Sequence, residues 1–129
     1  MERKLISSGS PYEDVIGFSR AVRVGPFISI GGTAPLDANG NTVGVGDIVL
    51  QTKQCLEIIK KALENAGADL GDVVRTRMLL INIEDWKKAS EIRASYFKTV
   101  KPVDTIMQVS RFINPEWLIE IEVDAISTQ

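Results

Sequence analysis

Three acidic residues near the end of the chain, Glu120, Glu122 and Asp124, stand at every second position. The positions around them are apolar: Ile119, Ile121, Val123 and Ala125. Such alternation predicts a β-strand with one apolar and one acidic face, on which neighbouring carboxylates lie roughly 6–7 Å apart. Two interpretations are open. The row is a solvated or ion-paired face, or one of the carboxylates lies at a pocket where it holds a water molecule or moves a proton.

A second predicted strand carries cations that suit this acidic face. Residues 73–83 are rich in β-branched and large apolar side chains, and Arg75 and Arg77 within them share one face. Opposite charges placed across from each other on neighbouring strands stabilise a sheet. We therefore expect part of the acidic row to be paired with these arginines.

The composition limits the available chemistry to a few side-chain types. The 129 residues include no histidine and one cysteine, Cys55. This excludes an intramolecular disulfide, a thiolate metal cluster and the usual neutral-pH acid–base group. We expect no metal site, and any catalysis would use carboxylates, backbone amides, hydroxyls, lysine or arginine. Cys55 flanks the apolar stripe of a predicted helix, where a buried and inert thiol is expected.

The charge and hydropathy of the chain argue against nucleic-acid and membrane partners. A formal net charge of −2 gives no general attraction to phosphate backbones. No apolar run approaches the roughly 18 residues of a membrane span, and residues 1–4 lead into a short strand without an apolar signal core. With 44% hydrophobic and 25% charged residues the chain is typical of a globular protein. We expect one domain over residues 1–129 and a cytoplasmic location.

The elements that must position these side chains follow from periodicity and turn residues. Strands are predicted over residues 5–8, 18–24, 27–30, 73–83, 101–109 and 118–125. One helix is predicted from the N-cap Asp47 to Gly67, and a second begins at Glu84–Asp85 and runs to Phe97. This order predicts an α+β sandwich, a mixed sheet with two helices on one face. The other face is apolar enough that self-association is expected.

The third predicted strand is followed by a glycine pair, Gly31 and Gly32. Paired glycines at the end of a strand indicate unusual backbone angles or a close approach by another chain segment or a ligand. Their spacing fits neither the dinucleotide-binding nor the P-loop pattern. The pair is therefore not predicted to bind phosphate.

Several segments together resemble one protein family. Residues 17–25 (GFSRAVRVG) resemble the GPYSQAVKVG segment of the RidA/YjgF reactive-intermediate deaminases, and residues 32–37 (GTAPLD) resemble their SGQIPVD turn. The segments 63–67, 72–76 and 119–122 fall in register as well. The resemblance implies a trimer of chorismate-mutase-like subunits, whose sheets form a central barrel with a small-molecule cleft at each subunit interface. Typical members hydrolyse enamines or imines such as 2-aminoacrylate to the 2-keto acid and ammonia without a cofactor.

The chain departs from this family at several positions of the family's site. Asp104 stands where the family has the arginine that clamps the substrate carboxylate, and an aspartate there would repel a carboxylate. Four other positions differ: Phe18 replaces a tyrosine, Gly31 a serine, Ser90 an asparagine and Ile106 a cysteine. Glu120, which in the family orients the attacking water, and the turn at Gly32 are retained. The resemblance thus implies intact water activation with altered ligand recognition.

The leading hypothesis is a RidA-like hydrolase of reactive enamines or imines with altered specificity. Glu120 would position water, and the backbone groups of Gly31, Gly32 and Ile106 would supply polar contacts. The ligand would bind at a subunit interface, where Phe18 and Ser90 occupy family site positions.

The charged residues around this site leave alternatives open. Asp104 could accept a hydrogen bond from an amine or hydroxyl of the ligand, or pair with a cation of the chain. Arg20, at the position of the family's glutamine, and Arg93, one turn beyond Ser90, are the candidate cations. If either enters the cleft, a carboxylate could still bind; otherwise both are surface cations.

Two other functions are less favoured. One is a non-catalytic binding protein or chaperone-like partner built on the same trimer. The other is the endoribonuclease or translation inhibitor named in the family's older description. Metal-free RNA cleavage favours a histidine or lysine acid–base pair in a basic groove with stacking aromatic residues, whereas this acidic chain has no histidine and 6% aromatic residues.

Overall fold

The structure, a computed structural model, describes residues 1–128; Gln129, the last residue of the predicted domain, lies outside the described residues. The strands are β1 (Arg3–Ile6), β2 (Ala21–Val24), β3 (Phe27–Thr33), β4 (Val73–Leu80), β5 (Val103–Gln108) and β6 (Ile119–Ile126). The helices are α1 (Ile48–Asn65) and α2 (Trp86–Phe97). A π-helical turn, Glu13–Gly17, and the 3-10 turns Leu70–Asp72 and Ile83–Asp85 lie between them.

The six strands form one sheet in the order β1-β2-β3-β6-β4-β5. The pair β4–β5 is parallel, and the other neighbouring pairs are antiparallel. Both helices cover the same face, because α1 packs on β3 and β6 while α2 packs on α1. Ala89 and Phe97 of α2 belong to the same buried core as Ile121 and Val123 of β6. This is the α+β sandwich that the sequence predicts.

Helix α1 begins and ends where the sequence predicts. The carboxylate of Asp47 accepts hydrogen bonds from the backbone N–H groups of Val49 and Leu50, which satisfies amides at the start of the helix. Gly67 follows the helix with φ +82°, a conformation that glycine adopts without strain. Cys55 is buried, as predicted, and burial raises the pKa of its thiol.

The first two strands are shorter than predicted or shifted. β2 begins at Ala21 rather than at residue 18, and the π-helical turn Glu13–Gly17 ends directly before Phe18. β1 covers Arg3–Ile6 rather than residues 5–8, since the backbone N–H of Ser8 donates to the Glu13 carboxylate instead of to a neighbouring strand.

The longer strands also differ from the prediction at their ends. β3 continues through Gly31 and Gly32 to Thr33. β4 ends at Leu80 rather than at residue 83, because the side chain of Asn82 accepts a hydrogen bond from the N–H of Glu84 and caps the 3-10 turn that leads into α2.

The sheet face opposite the helices, here called the open face, combines ion pairs at its centre with exposed apolar side chains at both sides. The exposed fractions are 60% for Leu5, 47% for Phe27, 59% for Val103 and 42% for Met107. Apolar side chains in this number favour burial against another surface, in line with the predicted self-association. Among the described residues, no helix combines the length and the apolar character needed to cross a membrane.

Candidate functional site

The three carboxylates of β6 lie on the open face, and two of them are paired as predicted. Glu122 stands opposite Arg77, with 3.1 Å between its Oε1 and the arginine Nη1. Asp124 stands opposite Arg75 at 3.9 Å, and the hydroxyl of Ser29 donates to it at 3.0 Å. These two carboxylates therefore follow the ion-paired interpretation.

Glu120 is different, because the residue opposite it on β4 is Leu79. Within residues 1–128 its carboxylate accepts no hydrogen bond and has no cation within 4.0 Å. Burial raises the pKa of the Glu120 carboxyl, the negative charge of Glu122 raises it further, and the positive charge of Arg20 lowers it. Glu120 is thus the carboxylate of the row that takes part in no ion pair within residues 1–128.

The glycine pair lies directly beside Glu120. Between the register pairs Ile30↔Val123 and Thr33↔Ile121, Gly31 and Gly32 form a β-bulge. A β-carbon on Gly32 would lie 2.7 Å from the Glu120 Oε1, whereas one on Gly31 would meet only a backbone oxygen at 3.9 Å. Neither glycine has a positive φ, so unusual backbone angles do not explain the pair. A close approach explains Gly32, because the Glu120 carboxylate lies where its side chain would be.

Arg20 lies at the same end of the sheet and is anchored to the bulge. Its Nη1 donates to the carbonyl of Gly32 at 3.3 Å and to the hydroxyl of Thr33 at 3.1 Å. Burial lowers the pKa of its guanidinium, while the negative charges of Glu13 and Glu120 raise it. The Nε and Nη2 donors have no acceptor in the described part of the chain. Arg20 is therefore half-buried and bonded to the bulge, and it is not a fully solvated surface cation.

Phe18 precedes Arg20 in the extended segment that enters β2. Its side chain is 41% exposed and has no hydroxyl to offer a ligand. Together, Arg20, the Gly31–Gly32 bulge and Glu120 make up what we call the β6 cluster.

A second cluster forms on the other face of the sheet, around Asp104. The Thr76 hydroxyl donates to the Asp104 Oδ1 at 2.7 Å and accepts from the Arg93 Nε at 2.8 Å. The Arg93 Nε lies 3.5 Å from the Asp104 Oδ1, and the Arg93 Nη2 donates to the carbonyl of Pro102 at 3.1 Å. The guanidinium carbon also stands 5.4 Å from the centre of the Phe97 ring. Of the alternatives for Asp104, the structure shows pairing with a cation, and that cation is Arg93.

Ser90 and Ile106 flank this Asp104 cluster. Ser90 is half-buried on α2, one turn before Arg93. Ile106 follows Asp104 on the same face of β5, opposite Met78, and its side chain packs on the hydrophobic core. Within one chain Glu120 and Asp104, around which the two clusters form, therefore lie on opposite faces of the sheet.

Two depressions on the surface of one chain lie away from both clusters. A depression of about 460 Å³ lies along the outer side of α1, between Gln54 and Glu64. Another of about 530 Å³ lies beside Arg111, Phe112, Ile113 and Pro115. Neither depression is lined by a predicted site residue.

Two residues at the clusters escaped the sequence analysis. Thr33 holds Arg20, and Thr76 links Arg93 to Asp104. Both are fully buried. The sequence does carry an indication for Thr76, because its hydroxyl stands on a face of β4 whose other residues are apolar. A buried polar group requires a hydrogen-bond partner, so a polar neighbour of Thr76 could have been expected.

Comparison with known proteins gives a consistent assignment. The profile of the family described as Endoribonuclease L-PSP matches residues 10–127. A RutC family protein of Pyrococcus abyssi is 36% identical over 125 residues, which cover 97% of this chain and 98% of that protein. A protein of Acinetobacter baylyi named 3-aminoacrylate deaminase RutC is 36% identical over 101 residues, which cover 78% of this chain and 79% of that protein.

Solved structures show the same fold along the whole chain. A member of the YjgF/YER057c/UK114 family from Mycobacterium tuberculosis superposes with a TM-score of 0.88 at 41% identity, covering 97% of this chain and 99% of its own. A putative endoribonuclease from Thermotoga maritima superposes with a TM-score of 0.85 at 27% identity, covering 98% of each chain. On these grounds the chain belongs to the Endoribonuclease L-PSP family, also called RidA/YjgF.

Proposed function

We propose that the protein is a RidA-like hydrolase of a small reactive enamine or imine that carries a carboxylate. The observation that carries this proposal is the position of Glu120, which has no cation opposite it and lies against Gly32 within electrostatic reach of Arg20. Support also comes from the relative named 3-aminoacrylate deaminase, at 36% identity. The specificity would differ from that of a simple 2-imino acid deaminase, because Asp104 replaces the arginine that clamps the carboxylate.

The reaction needs one group that takes a proton from water and returns it. An enamine first takes up a proton on carbon and gives up one from nitrogen, which makes it an imine. Glu120 then accepts a proton from a water molecule while the water oxygen bonds to the imine carbon, and passes that proton to the nitrogen, so that a carbinolamine forms. Glu120 next takes the proton of the new hydroxyl and returns it to the nitrogen as the carbon–nitrogen bond breaks, which releases ammonia and leaves a carbonyl compound. A raised pKa suits this role, since general acid–base catalysis is most efficient when the pKa approaches the working pH.

Arg20 is the cation proposed to receive the substrate carboxylate. It lies in the β6 cluster with Glu120, and its Nη1 is fixed by Gly32 and Thr33. The remaining Nε and Nη2 donors form a fork of the kind that binds a carboxylate at two points. Arg93 is not available for this task, because its Nε and Nη2 are already bonded to Thr76 and Pro102.

The complete site is proposed to lie between subunits of a homotrimer. The open face presents exposed apolar side chains, and the two clusters lie on opposite faces of one chain. A neighbouring copy that packs on the open face would cover the apolar side chains there and add a second wall beside Glu120. In such an assembly Asp104, Ser90 and Ile106 of one subunit would border the β6 cluster of the next. Molar mass in solution, measured by light scattering, tests this assembly.

A non-catalytic binding protein is the second candidate, and one observation favours it. Where deaminases of the family carry the clamping arginine, this chain has a carboxylate that Arg93 and Thr76 already satisfy. A cleft with this internal pair would bind a ligand without turning it over. RNA cleavage is not proposed, because the chain has no histidine and a net charge of −2.

The decisive experiment supplies 2-aminoacrylate and 3-aminoacrylate from upstream enzymes and follows the release of ammonia. The wild-type protein should accelerate hydrolysis of at least one of them over the spontaneous rate. Arg20→Gln, which restores the family's residue, should raise KM more than it lowers kcat, since it removes a contact made in both ground and transition states. Binding of a carboxylate-bearing analogue without turnover of either enamine would favour the second candidate and overturn the first.

A further inference from the structure

Gln51 is a fully buried polar residue whose side chain joins α1 to the start of β6. Its Oε1 accepts a hydrogen bond from the backbone N–H of Leu118 at 2.7 Å. Its Nε2 donates to the carbonyl of Glu116 at 2.9 Å and to the carbonyl of Gly44 at 3.2 Å. All three partners lie outside α1. The side-chain amide therefore bonds to the loop before α1 and to the segment before β6.

These bonds hold the backbone immediately before Glu120. Leu118 is bonded at both ends of its backbone, because its N–H donates to Gln51 and its carbonyl accepts from the N–H of Ile81 at 3.1 Å. The next residue, Ile119, is fully buried. Glu120 itself receives no hydrogen bond on its carboxylate from residues 1–128. The location of that carboxylate is thus set by the backbone that enters β6.

The same helix also holds the chain that follows the glycine bulge. One turn beyond Gln51, the Nε2 of Gln54 donates to the carbonyl of Leu36 at 2.7 Å. The side-chain amides of Gln51 and Gln54 therefore hold the segment before Glu120 and the segment after Gly32, respectively.

We infer that Gln51 is a positioning residue for Glu120: it fixes the entry into β6 so that the carboxylate lies over Gly32. Gln51 acts through the backbone and does not touch the substrate. The inference rests on the proposed role of Glu120, but its structural part can be tested without any substrate.

The test compares Gln51→Met, which has similar length but none of the three hydrogen bonds, with Thr52→Val. Thr52 is a matched control because it is equally buried on the same helix, and its hydroxyl donates at 2.7 Å to the carbonyl of Ile48 within α1. The first readout is the pKa of the Glu120 carboxyl, from an NMR titration of carbon-13-labelled protein. The wild type should titrate above the ordinary glutamate range, Gln51→Met should move back toward that range, and Thr52→Val should not.

The charged and titratable groups around this carboxyl are Arg20 before β2, Glu122 on β6 and Cys55 on α1. None of them is altered in these variants, so a change in the titration reports a displacement of Glu120. Should Gln51→Met not fold, Gln51→Asn withdraws the amide by one methylene and is expected to give the same shift. An unchanged Glu120 titration in either folded variant would overturn the inference.

The second readout is kcat for enamine hydrolysis. Gln51→Met should lower kcat by about 100-fold, as expected when a reacting group is misplaced by about 1 Å, and should cause no further loss in a Glu120→Gln background. Equal losses in both backgrounds would mean that Gln51 acts on general stability, which overturns the inference. If the wild type hydrolyses no enamine while Gln51→Met still shifts the Glu120 titration, positioning stands and the proposed function fails.

Discussion

The Oε1 of Glu120 lies 2.7 Å from the point that a β-carbon on Gly32 would occupy. A contact that short does not occur between a carboxylate oxygen and a side-chain carbon, so the missing side chain of Gly32 provides the space in which the carboxylate lies. The glycine is required here for space and not for its backbone angles, because its φ is not positive. The bulge and the carboxylate therefore form one structural unit.

Gly32→Ala should displace the Glu120 carboxylate and lower kcat/KM by about 100-fold, with little change in the unfolding temperature. Gly31→Ala is the comparison, because its new β-carbon would lie at an ordinary distance of 3.9 Å from the nearest backbone oxygen. Steady-state kinetics of both variants measure the difference. If Gly31→Ala lowers kcat/KM as much as Gly32→Ala does, the space next to Glu120 is not the cause of the loss.

Glu120→Gln should stabilise the protein at neutral pH. Burial raises the pKa of Glu120, so the folded state binds its proton more tightly than the unfolded state does. Stability therefore falls as pH rises from the ordinary glutamate pKa of about 4.3 through the raised value, and the full penalty remains above it. Glutamine carries no such penalty.

Thermal unfolding of both proteins from about pH 4 to about pH 8 measures this effect. The variant should unfold at a higher temperature at the upper end of the range, and the two proteins should converge at the lower end. A wild type that is the more stable protein at neutral pH would contradict the environment described for Glu120.

Asp104→Ala should destabilise the fold by about 2 kcal/mol. The change leaves Arg93, whose side chain is 15% exposed, without its carboxylate, and removes the acceptor of the Thr76 hydroxyl. Asp104→Asn should cost less, since its amide oxygen can still accept from Thr76. Denaturant unfolding of both variants gives the values. In an Arg93→Met background the cost of Asp104→Ala should shrink, and an unchanged cost would show that the two residues are not coupled.

The long regular elements could be predicted from the sequence because each has a local cause. Asp47 caps α1 through its own side chain, and the alternation in residues 119–125 requires one buried face. The other face of that strand is acidic, so Arg77 pairs with Glu122 once β4 and β6 are neighbours. Each of these features depends on a few consecutive residues or on one shared face.

The division of the site into two clusters could not be predicted in the same way. Asp104 faces the helices because it stands beside Thr76 in the parallel pair β4–β5, and a shift of one residue in that pairing would turn it to the open face. The partner of Arg93 depends on where α2 lies over the sheet. Both facts are set by contacts between residues distant along the chain, which residue patterns do not encode.

In the proposed reaction Glu120 is the carboxylate of β6 that takes the proton from water. The most direct measurement is ammonia release from 2-aminoacrylate and 3-aminoacrylate by the wild type, Glu120→Gln and Asp124→Asn. The two variants remove the same charge from the same strand face, but Asp124 is held by Arg75 and Ser29. We predict that Glu120→Gln loses turnover, by about 100-fold or more, while Asp124→Asn retains it. Equal activity of Glu120→Gln and the wild type on these substrates would contradict the claim.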